Sequence, residues 1–205
     1  MLQGWHFGLY YENQWLLRQT ALKSGVMAKD IPGVGCLGLS VRQYGWSQFS
    51  ENKFGIAYAR DFGPYLSIGL QADWLLLHYG EGYKDRNIPA FELGAQSQVT
   101  EKIRLGVYFF NLSVMRFGLA YQLTDNFVGQ LEIEKDNQYA GVRLSSGFEY
   151  VLFERFCLRA GAQYNPNIIC FGAGYVIRNI KVDMAAQMHQ VLGTSIQISV
   201  EYHIP

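Results

Sequence analysis

Gly33-Val34-Gly35-Cys36-Leu37-Gly38 has the glycine spacing of a turn that cradles phosphate. That chemistry needs a strand before the glycines and a helix after them, so that the anion meets helix amides. Here Asp30-Ile31-Pro32 precedes and a strand-like run to Arg42 follows, so glycines in a sheet wall explain the pattern better. Glu132 and Glu134 share one face of a strand, about 7 Å apart by strand rise. A glycosidase pair could use that separation, but in-wall acids more often partner arginines. His189 and Ser195 bracket a turn at Gly193, with no Cys, Asp or second His at ligand spacing. Cys36, Cys157 and Cys170 form no CxxC and no metal spacing with the four histidines, so neither metal nor cofactor is expected. A turn at Asn165-Pro166-Asn167 sets Cys157 opposite a residue near Tyr175, which predicts free thiols. No Ser/His/Asp set is recognisable around His6, His78, His189 or His203.

Chemistry of the catalytic kind is therefore absent from these motifs, and the elements that would hold them become the main signal. Between Val114 and Thr124 one parity reads Met115, Phe117, Leu119, Tyr121, Leu123, and the other Val114, Arg116, Gly118, Ala120, Gln122. Side chains of a strand alternate between faces, so each such segment has one greasy face and one small or polar face. The split recurs along the chain, with charges in the polar set. An outward apolar face around a polar interior is the signature of a transmembrane β-barrel. On the segment around residue 56, Phe54, Ile56 and Tyr58 are predicted to face lipid, and Gly55, Ala57 and Ala59 the interior.

Composition agrees. The chain has 205 residues, 17 basic and 17 acidic, so no basic surface points to nucleic acid. Only 17% of residues are charged, below the roughly 25% of soluble domains. Fourteen Tyr, 13 Phe and 22 Gly supply interfacial rings and small residues where strands crowd. No apolar run reaches the roughly 18 residues of a membrane helix. Met1 leads into Trp5, His6 and Phe7 with no basic n-region or cleavage site, so either the numbering begins inside a longer precursor or the outer-membrane reading is wrong.

Strands are expected at 5–12, 20–28 (weak), 34–44, 52–61, 65–78, 89–99, 103–111, 114–124, 127–135, 139–152, 155–164, 168–178, 181–188 and 195–204. The fold class is thus all-β: one antiparallel transmembrane barrel of about 14 strands over residues 1–205, with 1–32 contributing weaker N-terminal strands. Tight turns alternate with longer loops, the longest being Gly45–Glu51 and Tyr79–Pro89. Short turns belong on the periplasmic rim and long loops outside. The two long loops carry Trp46, Phe49, Tyr79 and Tyr83, aromatics suited to docking a partner or anchoring in headgroups. Inward-facing Arg104, Arg116, Arg143 and Arg159 against Glu92, Glu132, Glu134 and Glu149 predict a balanced, cross-linked interior closed to solutes.

Several short stretches together resemble a known family. They are Gly38-Leu-Ser-Val-Arg-Gln-Tyr44-Gly45, Phe54-Gly-Ile-Ala-Tyr58, Arg116-Phe-Gly-Leu-Ala-Tyr121, Gly147-Phe-Glu149-Tyr150 and His189-x-x-Leu192-Gly193-Thr194. Their order resembles the PorV/PorQ-like outer-membrane barrels of Bacteroidota, a branch of the FadL-type fold. That resemblance implies fourteen strands, an outer-membrane location and a non-enzymatic role in an envelope secretion or assembly machine, with lipid and other envelope proteins as partners. FadL-type proteins also carry a hatch and signal, which have no counterpart in this sequence. The alternative is a FadL-type channel for a small hydrophobic molecule, with inward residues such as Leu75 and Leu77 lining the path.

Overall fold

Alternation of large and small side chains over stretches of 8 to 14 residues selects strands over helices, because only a two-residue period keeps one parity on one face. The computed structural model describes residues 4–80 and 82–204. Its strands are β1 Trp5–Asn13, β2 Ala21–Ile31, β3 Gly35–Trp46, β4 Phe49–Phe62, β5 Leu66–Tyr79, β6 Arg86–Gln98 and β7 Ile103–Phe110. They continue as β8 Val114–Thr124, β9 Phe127–Asp136, β10 Arg143–Leu152, β11 Phe156–Tyr164, β12 Ile168–Ile177, β13 Ile180–His189 and β14 Gly193–Ile204. Each strand runs antiparallel to its chain neighbour, and β1 pairs with β14 to close a 14-stranded barrel. Closure removes every free sheet edge, the condition for placing strands in hydrocarbon.

Exposure separates the two faces. Leu9 is 68% exposed, Ile56 67% and Phe91 65%, whereas Asp73 is 4% and Glu134 5% exposed. The greasy parity is therefore the outer surface and the charged parity the interior. Phe54, Ile56 and Tyr58 lie on the outer parity, and Gly55, Ala57 and Ala59 on the inner one, as the alternation implied. Close to the rim that holds both termini, outward aromatics recur around the barrel: Trp5, Tyr58, Tyr121, Tyr150, Tyr175 and Tyr202. Amphipathic rings at this height fit a membrane interface, and Lys29 Nζ caps the Trp5 ring at 4.6 Å.

Three boundaries differ from the sequence reading. Gly45–Glu51 is not a long loop. Trp46 pairs with Phe49 across a tight turn at Ser47-Gln48, which Gly45 permits with φ +90°. The Tyr79–Pro89 loop is shorter too, because Arg86 to Pro89 extend β6 against β5. Conversely, 139–142 is not strand: Lys135 Nζ donates to the carbonyls of Tyr139 and Gly141 and folds that segment into a loop. β2 is fuller than its weak pattern suggested. Its outer parity holds Lys23, Gly25, Met27 and Lys29, which blurs the greasy stripe without disturbing the pairing. Across β11 and β12, Cys157 sits opposite Gly174, beside Tyr175, and the three cysteines are free thiols.

Candidate functional site

The interior is the one surface where charged, polar and apolar side chains converge, and the strand register decides which meet. Glu134 on β9 lies opposite Arg116 on β8 and Arg143 on β10. Its carboxylate accepts from Arg116 Nε at 2.5 Å and from Arg143 Nη1. Arg159 on β11 donates to Glu149 on β10 at 2.6 Å and to Asp183 on β13. The second contact spans β12, whose inward positions Gly172 and Gly174 leave room for the guanidinium. Lys181 joins Asp183 to Glu201 at 3.3 and 3.8 Å. A third cluster sets Lys53 on β4 against Glu92 on β6 and, at 3.7 Å, Asp73 on β5. Gln71 donates to Asp73 at 2.7 Å. The Lys53 ammonium also lies 5.6 Å from the centroid of the Phe110 ring. At the loop rim Arg42 meets Glu51 at 3.8 Å.

The expected network is thus only partly assembled. Arg116, Glu134 and Arg143 come together, as do Glu149 and Arg159. Arg104 instead donates to Gln98 at 3.1 Å, and Glu132, though inward, faces Ser145 and Gly118 rather than an arginine. Both line a gap of about 410 Å³ shared with Gln96 and Gln130. A second interior cavity, about 430 Å³, is bounded by Tyr10, Glu149, Arg159, Asp183 and Gln197. The interior is therefore ribbed with ion pairs and not a solid plug. Fourteen strands enclose more than the roughly eight whose interior side chains alone can fill. Sequence reasoning passed over Lys53, although its parity opposite Phe54 was legible. His78 also has a partner that the sequence reading did not find, since its Nδ1 lies 2.9 Å from Asp85 Oδ1 on the loop rim.

Replacing Glu134 with glutamine should be costly. Two guanidiniums would face a neutral amide, and the loss should be about 2–3 kcal/mol, less than a fully buried pair because both arginines retain solvent contact. Urea titration of the folded band on unheated gels reads the shift. A midpoint equal to that of the native protein would show that the bridge carries no stability.

The four aromatics assigned to loops also stand differently. Trp46, Phe49 and Tyr79 end their strands on the inward parity, and the Phe49 and Tyr79 rings meet at 5.6 Å. Tyr83 alone projects from a loop, 78% exposed. Below them the inward positions of β5 and β6 are Leu75, Leu77, Ile88 and Arg86, with Leu75 paired to Ile88 and Leu77 set between Glu51 and Arg86. A mainly apolar strip therefore descends from the rim to the level of Lys53, which pairs with Leu75, with Glu51 and Arg86 as the charges beside Leu77. On this side of the loop rim a recess of about 1180 Å³ lies between the 47–48 turn and the 82–85 loop. Gly80 N–H donates to Gln48 O at 2.7 Å and ties the two together.

No family model and no curated protein matches the sequence. Solved structures do match in shape. The toluene transporter TodX of Pseudomonas putida superposes with a TM-score of 0.73 at 12% identity, covering 97% of this chain and 88% of that one. Omp33 of Acinetobacter baumannii gives 0.67 at 10% identity, over 98% of each chain. A triple-mutant porin of Rhodopseudomonas blastica gives 0.57 at 12% identity, over 100% and 99%. At these identities the likeness is one of fold. A closed, even-stranded barrel of this fold, with an apolar outer belt and a charged interior, is a bacterial outer-membrane protein.

Proposed function

We propose that this barrel is a non-enzymatic outer-membrane channel that admits a small hydrophobic solute from the loop rim. The observation that carries this reading is an apolar cluster inside the loop rim: Trp46, Phe49, Leu75, Leu77, Tyr79 and Ile88 share the inward face, interrupted by Glu51 and Arg86 beside Leu77. Inward leucines beside water gain by contact with an apolar solute, about 1.5–3 kcal/mol for each fully covered side chain. TodX, a toluene transporter by name, supports the reading through its fold. A docking subunit of a secretion machine, the role that the PorV-like resemblance implies, would need these rings displayed outward. Three of the four point along the path instead, which favours the channel.

Uptake of radiolabelled toluene by intact cells tests the proposal. Cells making the native barrel should take it up faster than cells making the Leu77→Asp variant, by roughly tenfold if one leucine contact is lost. Equal rates, with both proteins folded in the membrane, would refute the channel reading. Co-purification of a stoichiometric envelope protein, lost on changing Trp46 and Tyr83 to Ala, would return the argument to docking.

A further inference from the structure

The charges of the strands are sorted by face, and the sorting is not neutral. The ion pairs described above engage six inward bases (Arg42, Lys53, Arg116, Arg143, Arg159 and Lys181) and seven inward acids. Two more bases, Arg86 and Arg104, occupy the inward parity. So do five more acids: Glu12, Asp30, Asp61, Glu132 and Asp136. With histidines neutral, the interior wall among the described residues therefore carries 8 positive against 12 negative charges. The outer parity of the strands shows the opposite. Its charged residues are Lys23, Lys29, Arg60 and Lys135, all basic. Those four exactly offset the interior excess in the formal count, which is why the whole chain reads as uncharged.

We infer that the lumen prefers cations, so that among small solutes with apolar bodies it passes neutral or amine-bearing ones and rejects carboxylates. The inference rests on the channel reading and specifies its selectivity. A wall of one net sign enclosed by low-dielectric protein and lipid concentrates counter-ions and excludes co-ions. Two features sharpen the effect here. The excess acids are spread over the height of the lumen, from Asp136 at the loop rim through Glu132 to Asp30 at the other end. Asp30 Oδ1 is also buried with no hydrogen-bond partner, and Glu132 borders an open gap, so neither charge is locked in an ion pair. The outer bases are separated from the lumen by the sheet, so they do not cancel the interior field for a permeating ion.

Reversal potentials across planar bilayers decide the matter. With a roughly tenfold KCl gradient centred near 0.1 M, where the Debye length is about 10 Å, potassium should exceed chloride in permeability by about threefold or more. At about 1 M salt, where the Debye length falls to ~3 Å, the preference should collapse. The double variant Asp30→Asn, Glu132→Gln, which removes two acids and breaks no ion pair, should lower the ratio by about half. A zero or anion-directed reversal potential would overturn the inference while leaving the channel intact. An unchanged ratio in the double variant would overturn it as well. A bilayer that stays silent with folded protein inserted would overturn both this inference and the channel reading.

Discussion

Valine in place of Gly55 is expected to unfold the barrel more readily than any other single inward substitution of large for small on β4. A Cβ at this position would lie 2.5 Å from Asp73 Oδ1 and from Ser40 Oγ, and 2.6 Å from Gln71 Nε2. Each of those is a polar tip on a short or engaged side chain, and Asp73 has no free volume into which to turn. Displacing it also disturbs Lys53 and Glu92. Overpacking of a tight site costs about 1–3 kcal/mol, and the upper end applies because polar partners move with it. Gly94 is the matched control. It too faces inward on a neighbouring pair of strands, yet its nearest atom to a new Cβ is a carbonyl at 4.0 Å. Gly94→Val should fall within about 1 kcal/mol of the native protein. Equal urea midpoints for the two variants in lipid vesicles would mean that the cluster above Gly55 is not packed as described.

Arginine at Ile56 should be nearly as damaging for a different reason. Ile56 is mid-strand on β4, on the outer parity and 67% exposed. A guanidinium there must reach through hydrocarbon to the interface, a cost of about 2–4 kcal/mol near the midplane. One residue on, Ala57→Ser turns a small hydroxyl into the lumen and should change stability by less than about 0.5 kcal/mol. The contrast between adjacent residues depends only on which face meets lipid. Similar losses at both positions would reverse the inside–outside assignment. Spin labels stepped along 53–60 provide the same reading without folding energies, through alternating access to oxygen and to a water-soluble relaxant.

Strand number, pairing and facing were legible because a period of two needs only a few residues to declare itself, and closed barrels admit few alternatives. Errors gathered where small or polar residues interrupt the period. Gly45, Ser47 and Gln48 read as loop, yet a single positive-φ glycine is enough to turn β3 directly into β4. Ser50 on the outer parity hid the loop-rim end of β4 and with it Glu51, a member of the interior charge set. At the opposite extreme, Tyr139 and Val142 looked like strand because they are strand formers, but lysine and asparagine side chains capture the local carbonyls. Which charges pair was less legible than which charges face inward. Parity assigns a face, whereas pairing also depends on glycine windows such as Gly172 and Gly174, through which Arg159 reaches past an intervening strand.

The bond between β1 and β14 differs in kind from the other thirteen seams. Every other seam joins strands adjacent in the chain, so its closure costs little more than a turn. β1 and β14 meet through pairs such as Trp5 with Ile204 and Asn13 with Ile196, and Trp15 N–H adds a hydrogen bond to Ser195 Oγ 180 residues away. Bringing such distant segments together costs roughly 2–3 kcal/mol more loop entropy than forming a hairpin. Until they meet, two rows of backbone groups stand unsatisfied in the bilayer, a penalty of several kcal/mol for each group left in hydrocarbon. Partly zipped states are therefore poorly populated, and the hairpins gain their full stability together when the ring shuts. Longevity in the membrane then resides in a kinetic latch between the first and last strands.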